Sequence, residues 1–200
     1  MSAAIAVVSG RDPRRGEARY VNQLILGVNG GPASARSDGW VMYGLPVVAG
    51  LMYRDSIELD ELKHPMRVRS LRLVPDSGGA GRQRGAPGCE IVYGPTHDAM
   101  TVVVPCDMQR NPPRGVNGGH DGRAAETWKI HADGRAERLP GFATVILRPG
   151  EWIRGLDNGG GGYGDPRTRD PNRIRHDILE GWISEESARA IYGYEPESQI

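Results

Sequence analysis

Residues 127–147 read TWKIHADGRAERLPGFATVIL. Three short β-favouring runs lie in this stretch, at Thr127 to His131, Arg135 to Leu139 and Phe142 to Leu147. Between the first two sits Asp133-Gly134, a hairpin signal because both residues tolerate positive φ. Working outward, Arg148-Pro149-Gly150 turns the chain into a further run at Glu151 to Arg154, and Cys89 to Tyr93 and Met100 to Pro105 precede the hairpin. In Met66 to Val74 the apolar positions fall at 66 and 68, then at 71 and 73. That slip near Ser70 predicts a β-bulge, which puts one extra residue into a strand. At the start, Ala3 to Val8 and Tyr20 to Val28 read as strands joined through a turn at Ser9 to Pro13.

Short strands at this spacing predict a mainly β fold, a sandwich or barrel-like sheet with long glycine-rich loops. The 29 glycines and 15 prolines fall in clusters between apolar runs, as turns do, and form no low-complexity tract. Asn29 to Gly39 lacks large apolar groups and reads as a loop lying over a surface, its own or a partner's. Gly44 to Met52 is a small apolar run. Arg54 to Lys63 is predicted to hold one or two helical turns, stopped by Pro65.

The last fifth is helical in character. Asp170 caps a helix with Pro171 at its first position, Ile174, Ile178, Leu179 and Trp182 recur at helical spacing, and Gly181 relaxes the chain. A second short helix opens at Ser184 and ends near Gly193. The expected organisation is one β-rich domain over residues 1–168 and a helical tail over 169–200, packed on that domain or on a partner.

Charge excludes some classes of function. Lys plus Arg equals Asp plus Glu at 25 each, so no net field steers the chain to nucleic acid or an anionic membrane. No apolar run has the length of a membrane span. Cys89 and Cys106 have neither CxxC spacing nor paired histidines nearby, which suits a reduced, cytoplasmic protein and predicts no metal site.

Several motifs invite sharper readings. Asp76-Ser77-Gly78-Gly79 spells part of a serine-protease nucleophile segment, but its upstream histidine, His64, stands before a proline in a charged segment. A tight turn, with Asp76 bonding amides two residues on, is the better reading. Gly159-Gly160-Gly161-Gly162-Tyr163-Gly164 contains a GxGxxG spelling, yet Asp165-Pro166 follows where a dinucleotide site needs a helix. Its glycines suit close backbone approach, with Tyr163 as anchor. Arg82 and Arg84, between Gly81 and Gly85, and Arg110 are candidates for substrate or interface anions, since guanidinium groups match carboxylate and phosphate. His120, beside Asp121 in the Gly118-Gly119 loop, is a further candidate as half of an orienting pair. The five histidines show no HxxH or HExxH spacing.

The order of these motifs carries a resemblance. The segment Pro75-Asp76-Ser77-Gly78-Gly79-Ala80-Gly81-Arg82-Gln83-Arg84-Gly85 resembles a hallmark of the hydantoinase B/oxoprolinase family, as does Gly159 to Pro166 followed by Arg169-Asp170-Pro171. Between them, Arg110 with Pro112 to Gly119 looks like the family's arginine, proline and double-glycine segment. The turns at Ser9 to Gly16 and Leu147 to Glu151 and the tail Gly181 to Gly193 are similar too. The likeness spans nearly the whole chain but only the C-terminal portion of the family's longer subunits.

That resemblance implies a split small subunit, with a piece of a longer chain as the competing explanation. It implies two partners in a hetero-oligomer, a hydantoinase A-like ATP-binding subunit and a larger hydantoinase B-like subunit. ATP with Mg and a divalent metal are expected in those partners and none on this chain. Phosphorylation of a substrate oxygen by the A-type subunit would make an inert carbonyl or enol reactive, and an enclosed chamber would shield it from water. Two segments depart from the family pattern, Gly30-Gly31-Pro32-Ala33-Ser34-Ala35-Arg36 and Ala86-Pro87-Gly88. Cyclic-amide hydrolysis is the expected reaction, ketone carboxylation the second, and a free-standing β-rich binding or scaffold protein the alternative from another class.

Overall fold

The structure is a computed structural model that describes residues 4–27, 29–41 and 54–195. Two open antiparallel sheets form the body. The first, in the order β2-β1-β5-β8, contains β1 (Ile5–Asp12), β2 (Ala18–Ile25), β5 (Met100–Pro105) and β8 (Phe142–Leu147). The second, in the order β3-β4-β9-β6-β7, contains β3 (Met66–Leu73), β4 (Cys89–Pro95), β6 (Glu126–Ile130), β7 (Ala136–Arg138) and β9 (Trp152–Leu156). Both sheets keep free edges, so the barrel-like alternative does not hold.

Alternation of side chains along the strands builds one core between the sheets. Val8, Leu24, Met100, Val102, Val104 and Leu147 from the first sheet meet Met66, Ile91, Tyr93 and Ile153 from the second, all buried. The predicted bulge is present, for the β3–β4 register shifts between Val68 and Ser70. The extra residue, Arg69, lays its guanidinium 4.6 Å from the Trp152 ring centroid.

Two turns differ from expectation. β1 continues through Ser9 to Asp12, and the reversal comes at Pro13 to Glu17. Asp12 accepts hydrogen bonds from the Arg14 backbone and guanidinium, Pro13 opens a 3-10 turn, and Gly16 takes a left-handed φ of 63°. The cap therefore places the turn four residues later than the expected Ser9 to Pro13. In the β6–β7 hairpin Gly134 alone has positive φ, 84°, and its amide donates to the His131 carbonyl. Asp133 instead turns its carboxylate to the Arg135 amide.

Helix α1 (Ile57–Lys63) is capped by Ser56 and stops before Pro65. Helix α2 (Pro171–Leu179) begins at Asp170, whose carboxylate accepts from the Asn172 amide. Gly181 ends it with φ 68°, leaving Trp182 beyond the helix. A short α3 (Glu185–Ser187), capped by Ser184, continues as a π-helical turn to Tyr192 and closes on Gly193. Val28 and the apolar run Gly44 to Met52 lie outside the described residues.

One buried carboxyl meets a core thiol. Asp157, 2 % exposed just beyond β9, receives the Cys89 thiol at 2.9 Å, and burial lifts its pKa to about 6. Unfolded, that group ionises near its ordinary 3.8, so between these values only the unfolded chain releases the proton. The contribution of Asp157 to stability is full below the lower value and is lost as pH rises through the higher one. Asp60, raised to about 6 by its own burial, adds to the same slope. Asp157→Asn keeps the thiol's acceptor and removes the ionisation. It should leave urea stability near wild type at pH 4 and raise it by about 1–3 kcal/mol at pH 8; an equal effect at both would show that the carboxyl stays charged.

Candidate functional site

Four segments that are neither helix nor strand meet beside the two sheets, residues 30–39, 77–88, 113–123 and 157–164. They are joined backbone to backbone. The run Gly159 to Gly164 lies among the other three. Gly160 donates to the Ala86 carbonyl at 2.9 Å, Gly162 to His120 at 3.0 Å and Gly164 to Val116 at 3.0 Å. In return Gly79 donates to Gly160, Ala33 to Gly161 and Val116 to Gly162. Main chains approach so closely only where no Cβ intervenes. A Cβ at Gly160 would overlap the Gly31 carbonyl, and one at Gly159 the Ser77 carbonyl.

This geometry settles the two misleading motifs. Within the GxGxxG segment the amides of Gly159, Gly160, Gly162, Tyr163 and Gly164 are committed to carbonyls of neighbouring segments, so no run of free amides remains to cradle a phosphate. Ser77 is 1 % exposed; its hydroxyl donates to the Val74 carbonyl at 2.6 Å and accepts from the Gly88 amide at 2.8 Å, so it is a turn lock. Asp76, with φ 59°, does not bond its own turn. Its carboxylate accepts from the Ser184 amide and its amide donates to the Trp182 carbonyl, which fastens the helical tail to the turn. Tyr163 bridges Gln83 and Val116 through its backbone, and its hydroxyl accepts from the Asn117 side chain at 2.7 Å. Asp165 caps a 3-10 turn at Pro166–Thr168.

The candidate anion-binding residues separate. Arg84 points inward and is 1 % exposed. Its guanidinium donates to Asp177 at 3.1 Å and to the Gly85 carbonyl at 2.7 Å, and lies 4.8 Å from the Trp182 ring centroid. Arg82 is exposed and reaches the Ala35 carbonyl at 3.3 Å. Arg110 is exposed on the segment after β5, and no described hydrogen bond or ion pair joins it to Arg82 or His120. His120 is exposed at a shallow cleft of about 100 Å³ bordered by Asp76, Asp121, Ile183 and Tyr192. The expected pairing with Asp121 is replaced by a bond from the Gly115 amide to that carboxylate at 2.8 Å.

Sequence reasoning missed the partners of Arg84. Arg169 forms a two-pronged pair with Asp38, at 2.7 and 2.9 Å, and also donates to Asp177 at 2.7 Å. Asp38 in turn accepts from the Arg84 amide at 2.7 Å. Burial acts to raise the Asp38 carboxyl, but the Arg169 guanidinium outweighs it and holds the group below its ordinary range. Two guanidiniums and two carboxylates thus form a neutral cluster, flanked by the half-exposed Arg173 at 3.7 Å from Asp38, that joins the 30–39 loop, the 77–88 turn and α2. A signal existed, since Asp177 interrupts the apolar stripe of Ile174 and Ile178 on α2. Among the described residues no group of three His, Cys, Asp or Glu side chains is placed to hold a metal ion.

Removing Asp177 leaves the buried Arg84 guanidinium without a carboxylate and Arg169 with Asp38 alone, so Asp177→Ala should lower stability by about 3–5 kcal/mol. Gly160→Ala should cost about 3 kcal/mol through backbone overlap. Urea denaturation midpoints check both, and a loss under ~1 kcal/mol at either position would contradict the packing described.

The family model for hydantoinase B/oxoprolinase matches residues 1–166. The beta subunit of caprolactamase from Pseudomonas jessenii is 31% identical over 191 residues, 93% of this chain and 33% of that subunit. In the crystal structure of ATP-dependent caprolactamase from the same organism, 98% of this chain superposes with a TM-score of 0.82 and 29% identity. The delta subunit of acetophenone carboxylase from Aromatoleum aromaticum is 26% identical over 208 residues, 86% of this chain and 30% of that subunit. The chain thus spans about a third of the length of these relatives. Matched along most of its length by the model and by a relative of this similarity, it belongs to the hydantoinase B/oxoprolinase family.

Proposed function

We propose that this chain is the C-terminal-type portion of a hydantoinase B-type subunit, working in an ATP-dependent complex that hydrolyses a cyclic amide. The observation that carries this reading is the superposition of 98% of the chain on one third of ATP-dependent caprolactamase. The likeness to an acetophenone carboxylase subunit supports a second reading, ATP-dependent carboxylation of a ketone. In either case the chain acts with two partners, a hydantoinase A-like ATP-binding subunit and a larger hydantoinase B-like polypeptide. ATP, Mg and a divalent metal belong to those partners in this reading. What the chain supplies is a wall in which most amides of the glycine segments are paired with carbonyls of neighbouring segments, so few of them compete with substrate for water or phosphate.

Arg82 and Arg110 are the side chains left free to meet an anion or a partner carboxylate, with His120 at the neighbouring cleft. Arg84 is assigned a structural role instead.

Reconstitution with the two partner polypeptides tests the function. The full set should turn over ATP when given a lactam or other cyclic amide, and omission of this chain should abolish it. ATP turnover with a ketone and bicarbonate, but not with a cyclic amide, would select the carboxylase reading. Arg82→Ala and Arg110→Ala should each lower assembly or turnover by about 10-fold, the scale of one lost charge-assisted contact; no change in either would remove those residues from the site.

A further inference from the structure

The two sheets present different outer faces. On the second, Glu90 takes Arg72 on one oxygen at 2.8 Å and Arg154 on the other at 2.6 Å, while Arg138 and Arg69 cover Trp128 and Trp152. That is how an antiparallel sheet meets water, with charge outside and apolar groups inside. The first sheet does not follow this rule.

Its register aligns outward side chains in rows, since directly paired residues share a face. Val21, Ser9, Thr101 and Ile146 form one row across all four strands, and Gln23, Val7, Val103 and Thr144 the next. Pro105 and Phe142 pair beyond them. None of these ten residues is charged, and the row at the far β1–β2 end of the same face carries Arg11 and Arg19, both exposed. Val21 is 73 % exposed, Phe142 68 % and Ile146 59 %. The edge strand β8 reads FATVIL, without a charge or proline to discourage association. An uncharged patch rich in exposed Val, Ile and Phe side chains, with arginines only at its β1–β2 end, marks a binding surface.

We infer that the outer face of the first sheet docks the larger hydantoinase B-like polypeptide, against an apolar and uncharged surface of that partner. The inference rests on the subunit reading above. Its occupant follows from length, because about two thirds of the caprolactamase chain has no counterpart in this one, while the other sheet is already covered with its own ion pairs.

The test uses the full chain and the larger polypeptide, with affinity measured by titration and folding followed by circular dichroism. Phe142→Glu/Ile146→Lys should weaken the complex by about 100-fold, because the partner would have to bury unpaired charge. Val21→Lys probes the same face from β2 should the double variant fail to fold. Leu179→Glu, at an apolar side chain 74 % exposed on α2, should change nothing. A folded face variant with wild-type affinity overturns the inference and leaves the subunit reading standing; a wild-type chain that does not bind the larger polypeptide overturns both. Self-association of the wild type that the face variants abolish would assign the face to a second copy and likewise overturn the inference.

Discussion

Main chain packed on main chain, with nothing between, is the constraint from which this structure follows. Where Gly159 and Gly160 pass the carbonyls of Ser77 and Gly31, the space for a Cβ is filled by backbone. Contacts of that kind satisfy amides and carbonyls in place of water, so a region poor in apolar side chains can still be buried. The arrangement is continuous with the second sheet. β4 begins at Cys89, one residue after Gly88, and β9 ends at Leu156, one residue before Asp157. Strand ends therefore enter the glycine layer directly, and the core holds the segments at the spacing that the glycines permit.

The neutral Arg84, Asp177, Arg169 and Asp38 cluster complements that packing. Buried charges cost several kcal/mol each to desolvate, and good geometry offsets much of the cost without large net stabilisation. Its stronger effect is to specify position. Asp38, Arg84 and Asp177 come from three segments far apart in sequence, and their forked geometry allows few alternatives to the docking observed. Asp76 adds a second attachment at Ser184, so the helical tail is held at both ends of α2.

These two devices produce a rigid body whose internal polar groups are largely spoken for. Outside this packing lie, among others, the exposed Arg82, Arg110 and His120 and the uncharged central rows of the first sheet's outer face. A body of this kind suits a wall and a docking platform. The outer faces differ, one laced with ion pairs and the other uncharged across its central rows.

Much of the fold was legible in the sequence because strands, bulges and caps are local. The slip at Ser70, the cap at Asp170, the stops at Pro65 and Gly193 and the resemblance carried by the glycine and arginine segments could all be read from spacing and residue type. The reversal after β1 falls later than the Ser9 to Pro13 expected from residue type, because the Asp12 side chain caps the turn that follows it. Arg84 could not be assigned from its neighbours in sequence, since its environment is set by Asp177, 93 residues away. The same limit applies to the two outer sheet faces: each strand shows its alternation locally, but only the register shows that ten uncharged side chains lie together. Sequence by itself determined which residues form elements and which glycines forbid a side chain. Tertiary structure alone decided which charges are buried and which surface is bare, because burial and pairing belong to residues that meet only when the chain has folded.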